Sequence, residues 1–296
     1  VSRVLVTGAT GFIGPQVLGP LVDAGHEVHA LTRRGGQSLA GVTWHTCDLL
    51  DGCQVVGDVG ADVLVHLAWG TERGSLWSSP DNVRWVEASL ALLRSFVTAG
   101  GRRAVMAGSC AEYDWARHRE TYPEDSPLRP GTLYGAAKHG LHTVAAALAE
   151  ASGVSLVWAR LFFLYGPRED PERFVASIVR SLLAGERAPM TLGIQRRDYM
   201  HVADVGAALA ALVDSPLSGP LNVASGEGAA LMDVARLIAG LTGGGERLAP
   251  GAIPMPADDP SSLVADVGRL HGELGFRARF TLDTGLEDTV SWWRAQ

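Results

Sequence analysis

Residues Arg3–Thr7 form a short apolar run that ends in glycines at positions 8, 11 and 14, after which apolar residues recur at helical spacing to about Ala24. The pattern predicts strand, turn and helix. Further apolar runs predict strands at Glu27–Thr32, Val42–Thr46, Asp62–Leu67 and Ala104–Ala107, with helices between them, the clearest over Asp81–Ala99. An Ala-rich helix over Thr132–Ala151 and a strand at Val154–Ala159 continue the series. Alternation of this kind implies an α/β fold, a doubly wound parallel sheet covered on both faces. After Gly166-Pro167 the rhythm loosens into a helix around Glu172–Leu183, a broken stretch to Arg197, a helix near Val202–Val213 and a strand at Leu221–Val223. Residues 240–262, rich in Gly and Pro, are expected to form an irregular surface connection. The expected division is a dinucleotide-type domain over 1–166 plus about 199–224, and a smaller discontinuous lobe from 167–198 and 225–296.

Composition narrows this picture. With 47% hydrophobic and 19% charged residues among 296, the chain buries a sizeable core and is not disordered. Net charge is −7 with both signs interspersed, so no basic face for nucleic acid is expected. No apolar run is long enough to span a bilayer, and the first strand follows no charged-then-apolar leader, so a soluble cytoplasmic protein is expected. Three cysteines, Cys47, Cys53 and Cys110, lack metal-ligand spacing and read as free thiols in a reducing compartment, with no metal site.

The segment Gly8-Ala9-Thr10-Gly11-Phe12-Ile13-Gly14 sits between strand and helix. Small residues there permit a sharp turn and let a pyrophosphate approach the helix N-terminus, so Gly8, Thr10, Gly11, Phe12, Ile13 and Gly14 are candidate dinucleotide contacts. Pro15 falls in the first helical turn, where its missing N–H costs little. The second strand ends in Thr32-Arg33-Arg34, where an NAD site usually carries an acid for the ribose hydroxyl. Arg33 suits a 2′-phosphate instead and points to NADP(H), with NAD(H) the alternative. Asp48, followed by Leu49, stands either at the adenine amino group or as a helix cap.

Lys138 is the one lysine among 25 basic residues, and it lies four positions after Tyr134 on the Ala-rich helix. Spacing of four puts both on one helix face, where the ammonium is expected to lower the phenol's pKa and make it a proton donor near neutral pH. Ser109, after the fifth strand, supplies a hydroxyl at the same sheet edge.

Together these motifs resemble the extended short-chain dehydrogenase/reductases, the group of nucleotide-sugar epimerases, dehydratases and 4-ketoreductases with a Rossmann sheet. Further matches are His66-Leu67-Ala68, Tyr165-Gly166-Pro167, Arg197-Asp198-Tyr199-Met200-His201-Val202 with Asp204, Leu221-Asn222-Val223, Ala265-Asp266 and Leu274-Gly275-Phe276. The resemblance implies that Tyr134 is the general acid/base, that Ser109 holds the substrate oxygen, and that Lys138 binds the nicotinamide ribose. It adds Leu67 and Ala68 to the cofactor contacts and places Arg197 near the substrate pyrophosphate. His201 and Asp204 are expected to shape a turn and cap a helix.

Departures from the family pattern narrow the reaction. Dehydratases of the group carry an Asp-Glu pair after the catalytic hydroxyl, where this chain has Cys110-Ala111, so water loss is not expected. Leu161-Phe162-Phe163-Leu164 lacks the Asn, and Asp258-Asp259-Pro260-Ser261 the Arg, that usually meet the substrate's phosphates, which leaves Arg168, Arg173, Arg196 and Arg197 as candidates. Trp69, Trp77 and Trp85 are candidates for an apolar pocket wall or are core aromatics. The expected activity is NADPH-dependent reduction of a keto group, at C4, of a nucleoside-diphosphate 4-keto-6-deoxyhexose. A 4-epimerase with tightly bound NAD and a non-catalytic NADP(H)-sensing module stay open. Family members often pair through the Tyr/Lys helix, so a homodimer is expected.

Overall fold

A computed structural model describes residues 1–35, 39–70, 76–117, 119–256 and 258–296. The first half runs β1 (Arg3–Thr7), α1 (Gly14–Asp23), β2 (Glu27–Thr32), β3 (Val42–Thr46), α2 (Val55–Val59), β4 (Val63–His66), α3 (Asp81–Thr98), β5 (Arg103–Ser109), α4 (Leu133–Ser152) and β6 (Ser155–Leu161). Next come β7 (Phe163–Tyr165), α5 (Phe174–Leu183), β8 (Ala188–Met190), β9 (Arg196–His201), α6 (Val202–Asp214) and β10 (Gly219–Val223). The chain ends with β11 (Gly228–Ala230), α7 (Leu231–Thr242), β12 (Leu248–Pro250), β13 (Ser262–Leu263), α8 (Gly268–Gly272) and α9 (Leu282–Arg294).

Seven strands pair in the order β10-β6-β5-β4-β1-β2-β3, every neighbour parallel. Both faces are buried, so the central strands are continuously apolar: Val4, Leu5 and Val6 on β1 and Leu64 and Val65 on β4 are fully enclosed. One face packs Val17, Leu18 and Leu21 of α1 and Val205, Leu209 and Leu212 of α6. The other packs Leu92, Leu93 and Phe96 of α3 and Leu141, Ala145 and Ala149 of α4. Among the described residues no helix is long and apolar enough to cross a membrane.

The smaller sheet, β11-β9-β13 with β7 beside β9, starts earlier than the division expected at residue 166. Leu161 ends β6 and Phe163 already pairs with Tyr199, so the chain changes sheets across Phe162 and returns to the large sheet only at β10. Helices α5, α7 and α9 bury Val175, Val179, Val234, Ile238, Leu286 and Val290 behind it. Residues 240–262 are largely irregular, but β12 pairs with β8.

The reading of three free thiols is corrected. Cys47 and Cys53 form a disulfide, and Cys110 is free and buried. Asp48 caps a single 3-10 turn over Leu49–Asp51, and Gly52, at φ +88°, folds the chain back so that the two cysteine Cα atoms lie 5.9 Å apart. A separation of six residues carries no sign of that reversal.

Candidate active site

Strand order reverses between β1 and β4, which opens a crevice at their carboxyl ends. The glycine turn fills its floor. A Cβ on Gly14 would lie 2.3 Å from the Gly8 carbonyl oxygen, and one on Gly8, itself at φ +68°, 2.7 Å from the Ala68 amide nitrogen. Glycine at both positions therefore lets β1, α1 and the Leu67-Ala68 segment converge. Thr10 and Gly11 are exposed, Phe12 and Ile13 partly so, and no side chain caps the N-terminus of α1. Pro15 carries no N–H and Gln16 N donates to the Ile13 carbonyl at 2.9 Å, which leaves the Gly14 amide at the positive end of the helix for an anion and fits the pyrophosphate of a dinucleotide.

A buried relay braces the opposite wall. Ser89 donates to the Trp85 carbonyl at 2.6 Å, so it accepts from His66 Nε2 at 2.9 Å, and His66 Nδ1 accepts from the Thr7 hydroxyl at 2.7 Å. Burial, reinforced by the charge of Lys138, pulls His66 down to about 3, consistent with that neutral tautomer. Thr7 Oγ1 also accepts from the amides of Leu67 and Ala68, each at 3.3 Å. Arg33 is exposed at the end of β2. Asp48 has the cap geometry, its carboxylate accepting from Leu50 N at 3.0 Å.

Ser109, Tyr134 and Lys138 meet at the carboxyl end of β5. Thr132 caps α4 by accepting from Gly135 N at 3.1 Å, and a Cβ on Gly135 would come 2.3 Å from the Ala111 carbonyl oxygen. Gly135 thus lets the first turn of α4 seat on the turn that carries Ser109. Ser109 and Lys138 are buried, at 8% and 4% exposure. The Lys138 ammonium donates to the Ala107 carbonyl at 2.9 Å and lies over the Trp69 ring.

One expectation changes here. Burial pushes the Tyr134 phenol up to about 12, and a hydrogen bond with Ser109 works against that. Burial also brings Lys138 down to about 7, opposed by the negative charge of Glu112. The ammonium is held between the Trp69 ring and the Ala107 carbonyl.

The tryptophans divide. Trp85 is a core residue at 8% exposure, stacked on Trp69. Trp69 and Trp77 stand edge-on to the Tyr134 ring, at 6.2 and 5.6 Å between centroids. Trp77 is 44% exposed, and its carbonyl accepts from Tyr134 N at 3.1 Å.

Arg197 is engaged internally. It is buried, with its guanidinium paired to Asp259 at 2.5 Å and bonded to the Pro260 carbonyl at 2.8 Å. It is a tie between β9 and the segment before β13, and the acid that holds it comes from the stretch where the sequence lacks an arginine. Arg168, at φ +69°, and Arg173 are exposed beyond β7. His201 and Asp204 cap and tie: His201 accepts from Ala203 N, and Asp204 from the amides of Arg279 and Phe280.

Sequence reasoning missed Glu112, fully buried on the turn after Ser109. It brings ligand atoms within 4.8 Å of those of His139 and His142, yet both its oxygens already accept from Trp158, and one from Arg160 as well. The adjacent guanidinium disfavours a metal ion there.

The crevice, the glycine turn and the hydroxyl–phenol–lysine set have the layout of a dinucleotide-dependent oxidoreductase. Residues 4–224 match the NAD dependent epimerase/dehydratase family, and the chain belongs to it and is an enzyme of that family. It is similar to a dTDP-4-dehydro-6-deoxy-D-allose reductase of Streptomyces bikiniensis, at 30% identity over 98% of this chain and 96% of that one. A UDP-glucose 4-epimerase of Streptomyces lividans is 29% identical over 93% and 91% of the two chains. Among solved structures, MoeE5 in complex with UDP-glucuronic acid and NAD superposes with a TM-score of 0.86 at 30% identity, covering 99% of both chains.

Proposed function

We propose that the enzyme reduces the C4 keto group of a nucleoside-diphosphate-linked 4-keto-6-deoxyhexose with NADPH. The observation that carries this reading is the convergence of Ser109, Tyr134 and Lys138 beside a crevice whose floor is the glycine turn. Bound NADPH would supply the hydride. Ser109 and Tyr134 would hydrogen-bond the keto oxygen, and Tyr134 would protonate the developing alkoxide, stabilising charge that appears only in the transition state. Lys138 would leave Trp69 for the nicotinamide ribose, and its charge would then favour the phenolate form of Tyr134. Cys110 and Ala111 offer neither an acid nor a base for dehydration. Arg33 supports NADP(H) over NAD(H), with Leu67, Ala68, Asp48 and Leu49 as further cofactor contacts.

Trp69 and Trp77 would wall the sugar pocket. With Arg197 held by Asp259 and Arg196 donating to the Gly228 carbonyl at 2.7 Å, the diphosphate falls to Arg168 and Arg173, both exposed beyond β7. Homodimerisation through α3 and α4, which leave Val83 and Val144 half exposed, completes the proposal.

The second reading, a 4-epimerase with resident NAD, is favoured by the likeness to the Streptomyces lividans epimerase and by the NAD in the MoeE5 complex. Acid-quenching the purified protein separates the two. Absence of stoichiometric NAD, with NADPH oxidised on adding dTDP-4-keto-6-deoxyglucose, is the expected result. Stoichiometric NAD together with reversible C4 epimerisation of a nucleotide sugar overturns it.

A further inference from the structure

We propose that Glu112 is a positioning residue for catalysis: its buried carboxylate fixes the backbone of Ser109 and serves as the counter-charge that keeps Lys138 cationic for the cofactor. The inference rests on the reading of Ser109, Tyr134 and Lys138 given above. Glu112 Oε1 accepts from Ser109 N at 2.8 Å, while the Ser109 hydroxyl accepts from Ala111 N at 3.2 Å, so the two residues brace one 3-10 turn reciprocally. That turn sets where the Ser109 hydroxyl stands relative to Tyr134.

The remaining valences of the carboxylate are met from β6. Trp158 Nε1 donates to Oε1 at 2.9 Å and to Oε2 at 3.0 Å, and Arg160 Nε donates to Oε2 at 3.2 Å. A Cβ on Gly108 would lie 2.2 Å from Trp158 Nε1 and 2.8 Å from Glu112 Oε1, so the strand leaves room for this assembly by omitting a side chain. An unpaired carboxylate at this depth would be prohibitively costly, and Arg160 makes it tenable. A hydrocarbon would fill the space without either cost. What a carboxylate adds is an acceptor for Ser109 N and a negative charge against the face of α4 that carries Lys138, where His142, one turn further along the helix, stands 4.0 Å from Oε2.

The titratable groups around that ammonium define its field. His66 on β4 is neutral, Tyr134 on α4 and Cys110 on the turn are each pushed up to about 12, and His142 on α4, pulled down to about 4, is neutral. Arg160 on β6 pairs with the carboxylate at 3.2 Å. Burial drives Lys138 toward its neutral amine, and Glu112 is the group whose charge opposes that.

The test measures NADPH affinity against pH by cofactor fluorescence in wild type, Glu112→Gln and Trp158→Phe, with folding of each checked by circular dichroism and thermal unfolding. Both substitutions disturb the same buried assembly and are expected to lower the melting temperature. Glu112→Gln alone removes the counter-charge, so its loss of affinity with rising pH should begin about one pH unit lower than in wild type, with kcat reduced ~10-fold. Trp158→Phe removes the indole hydrogen bonds but leaves the carboxylate paired with Arg160, so it should show no acid shift. An equal acid shift in both variants, or none in a folded Glu112→Gln, overturns the proposal. A wild-type limb that persists in Lys138→Met refutes the reading of Lys138 itself, whereas a limb lost in Lys138→Met but unmoved in Glu112→Gln refutes only the role of Glu112.

Discussion

The ammonium of Lys138 lies 3.7 Å from the centre of the Trp69 indole ring and donates to the Ala107 carbonyl at 2.9 Å. The first is a cation–π contact and the second a hydrogen bond, and together they clamp a compact charge between ring and strand. A planar guanidinium is wider and needs a fork of acceptors. Lys138→Arg should therefore lower kcat/KM at least ~10-fold, which is non-conservative behaviour for a swap that keeps the charge. Steady-state kinetics with NADPH decide it, and a fully active variant would sink the assignment.

Arg33 projects from the end of β2 because Thr32 occupies the turn behind it. The Thr32 hydroxyl accepts from Arg34 N at 3.3 Å and donates to the Arg34 carbonyl at 3.1 Å, which closes the backbone and leaves Arg33 outward. An Arg33→Asp substitution exchanges a partner for the 2′-phosphate for a partner of the ribose hydroxyls. The ratio of kcat/KM for NADPH over NADH should fall by about ~100-fold, roughly 2.7 kcal/mol of discrimination. An unchanged ratio would remove the basis for preferring NADP(H).

Glu169 gives the fold a pH dependence of defined sign. It is buried at 5% exposure with Oε2 unpartnered, and burial pushes its carboxyl up to about 8 against the opposing charge of Arg173 and a hydrogen bond from the Ala176 amide. Between the ordinary carboxyl range and about 8 the folded state holds a proton that the unfolded chain has released. The corresponding stability is fully present at low pH and is lost as pH rises through about 8. Glu169→Gln keeps an acceptor for Ala176 without the ionisation. Thermal unfolding should find the variant equal to wild type near pH 4.5 and more stable by on the order of 2 kcal/mol at pH 9. Parallel melting curves across that range would contradict the burial argument.

How far the molecule was legible depends on what each residue does. Strands β1, β2 and β3 stand where the sequence pattern predicts; Val4–Val6 of β1 are apolar because that strand is buried on both faces, whereas β3, at the sheet edge, mixes Val and Trp with Thr and His and is only half-buried. The Gly8–Gly14 turn and the Tyr134–Lys138 offset are local in sequence and visible for that reason. Glu112 was not, since its partners Trp158 and Arg160 lie on another strand about 46 residues away and a lone Glu carries no periodicity. Asn222 illustrates the same limit: it donates to the carbonyls of Tyr122 and Asp266 and accepts from the Tyr113 hydroxyl, three separate segments. The Cys47–Cys53 bridge spans a chain reversal at Gly52, where φ is +88°, and residue spacing does not reveal it.

Arg197 and Asp259 separate scaffold from substrate recognition in the small lobe. The guanidinium side chain is 6% exposed and its carboxylate partner 24%, so removing the partner strands a nearly buried cation. Asp259→Ala should cost roughly 2–3 kcal/mol, below the ~3–5 typical of fully enclosed pairs because Asp259 keeps some contact with water. Replacing both residues, as Arg197→Met with Asp259→Leu, should recover most of that loss, since hydrocarbon of similar volume removes the desolvation cost along with the attraction. If Arg197 is a tie rather than a substrate ligand, the refolded double variant retains the wild-type KM for the nucleotide sugar, whereas Arg173→Ala raises it about ~10-fold with little change in kcat, the mark of lost ground-state binding. A double variant that is stable yet binds substrate ten times more weakly would return Arg197 to the binding site and make Asp259 a competitor that the diphosphate displaces.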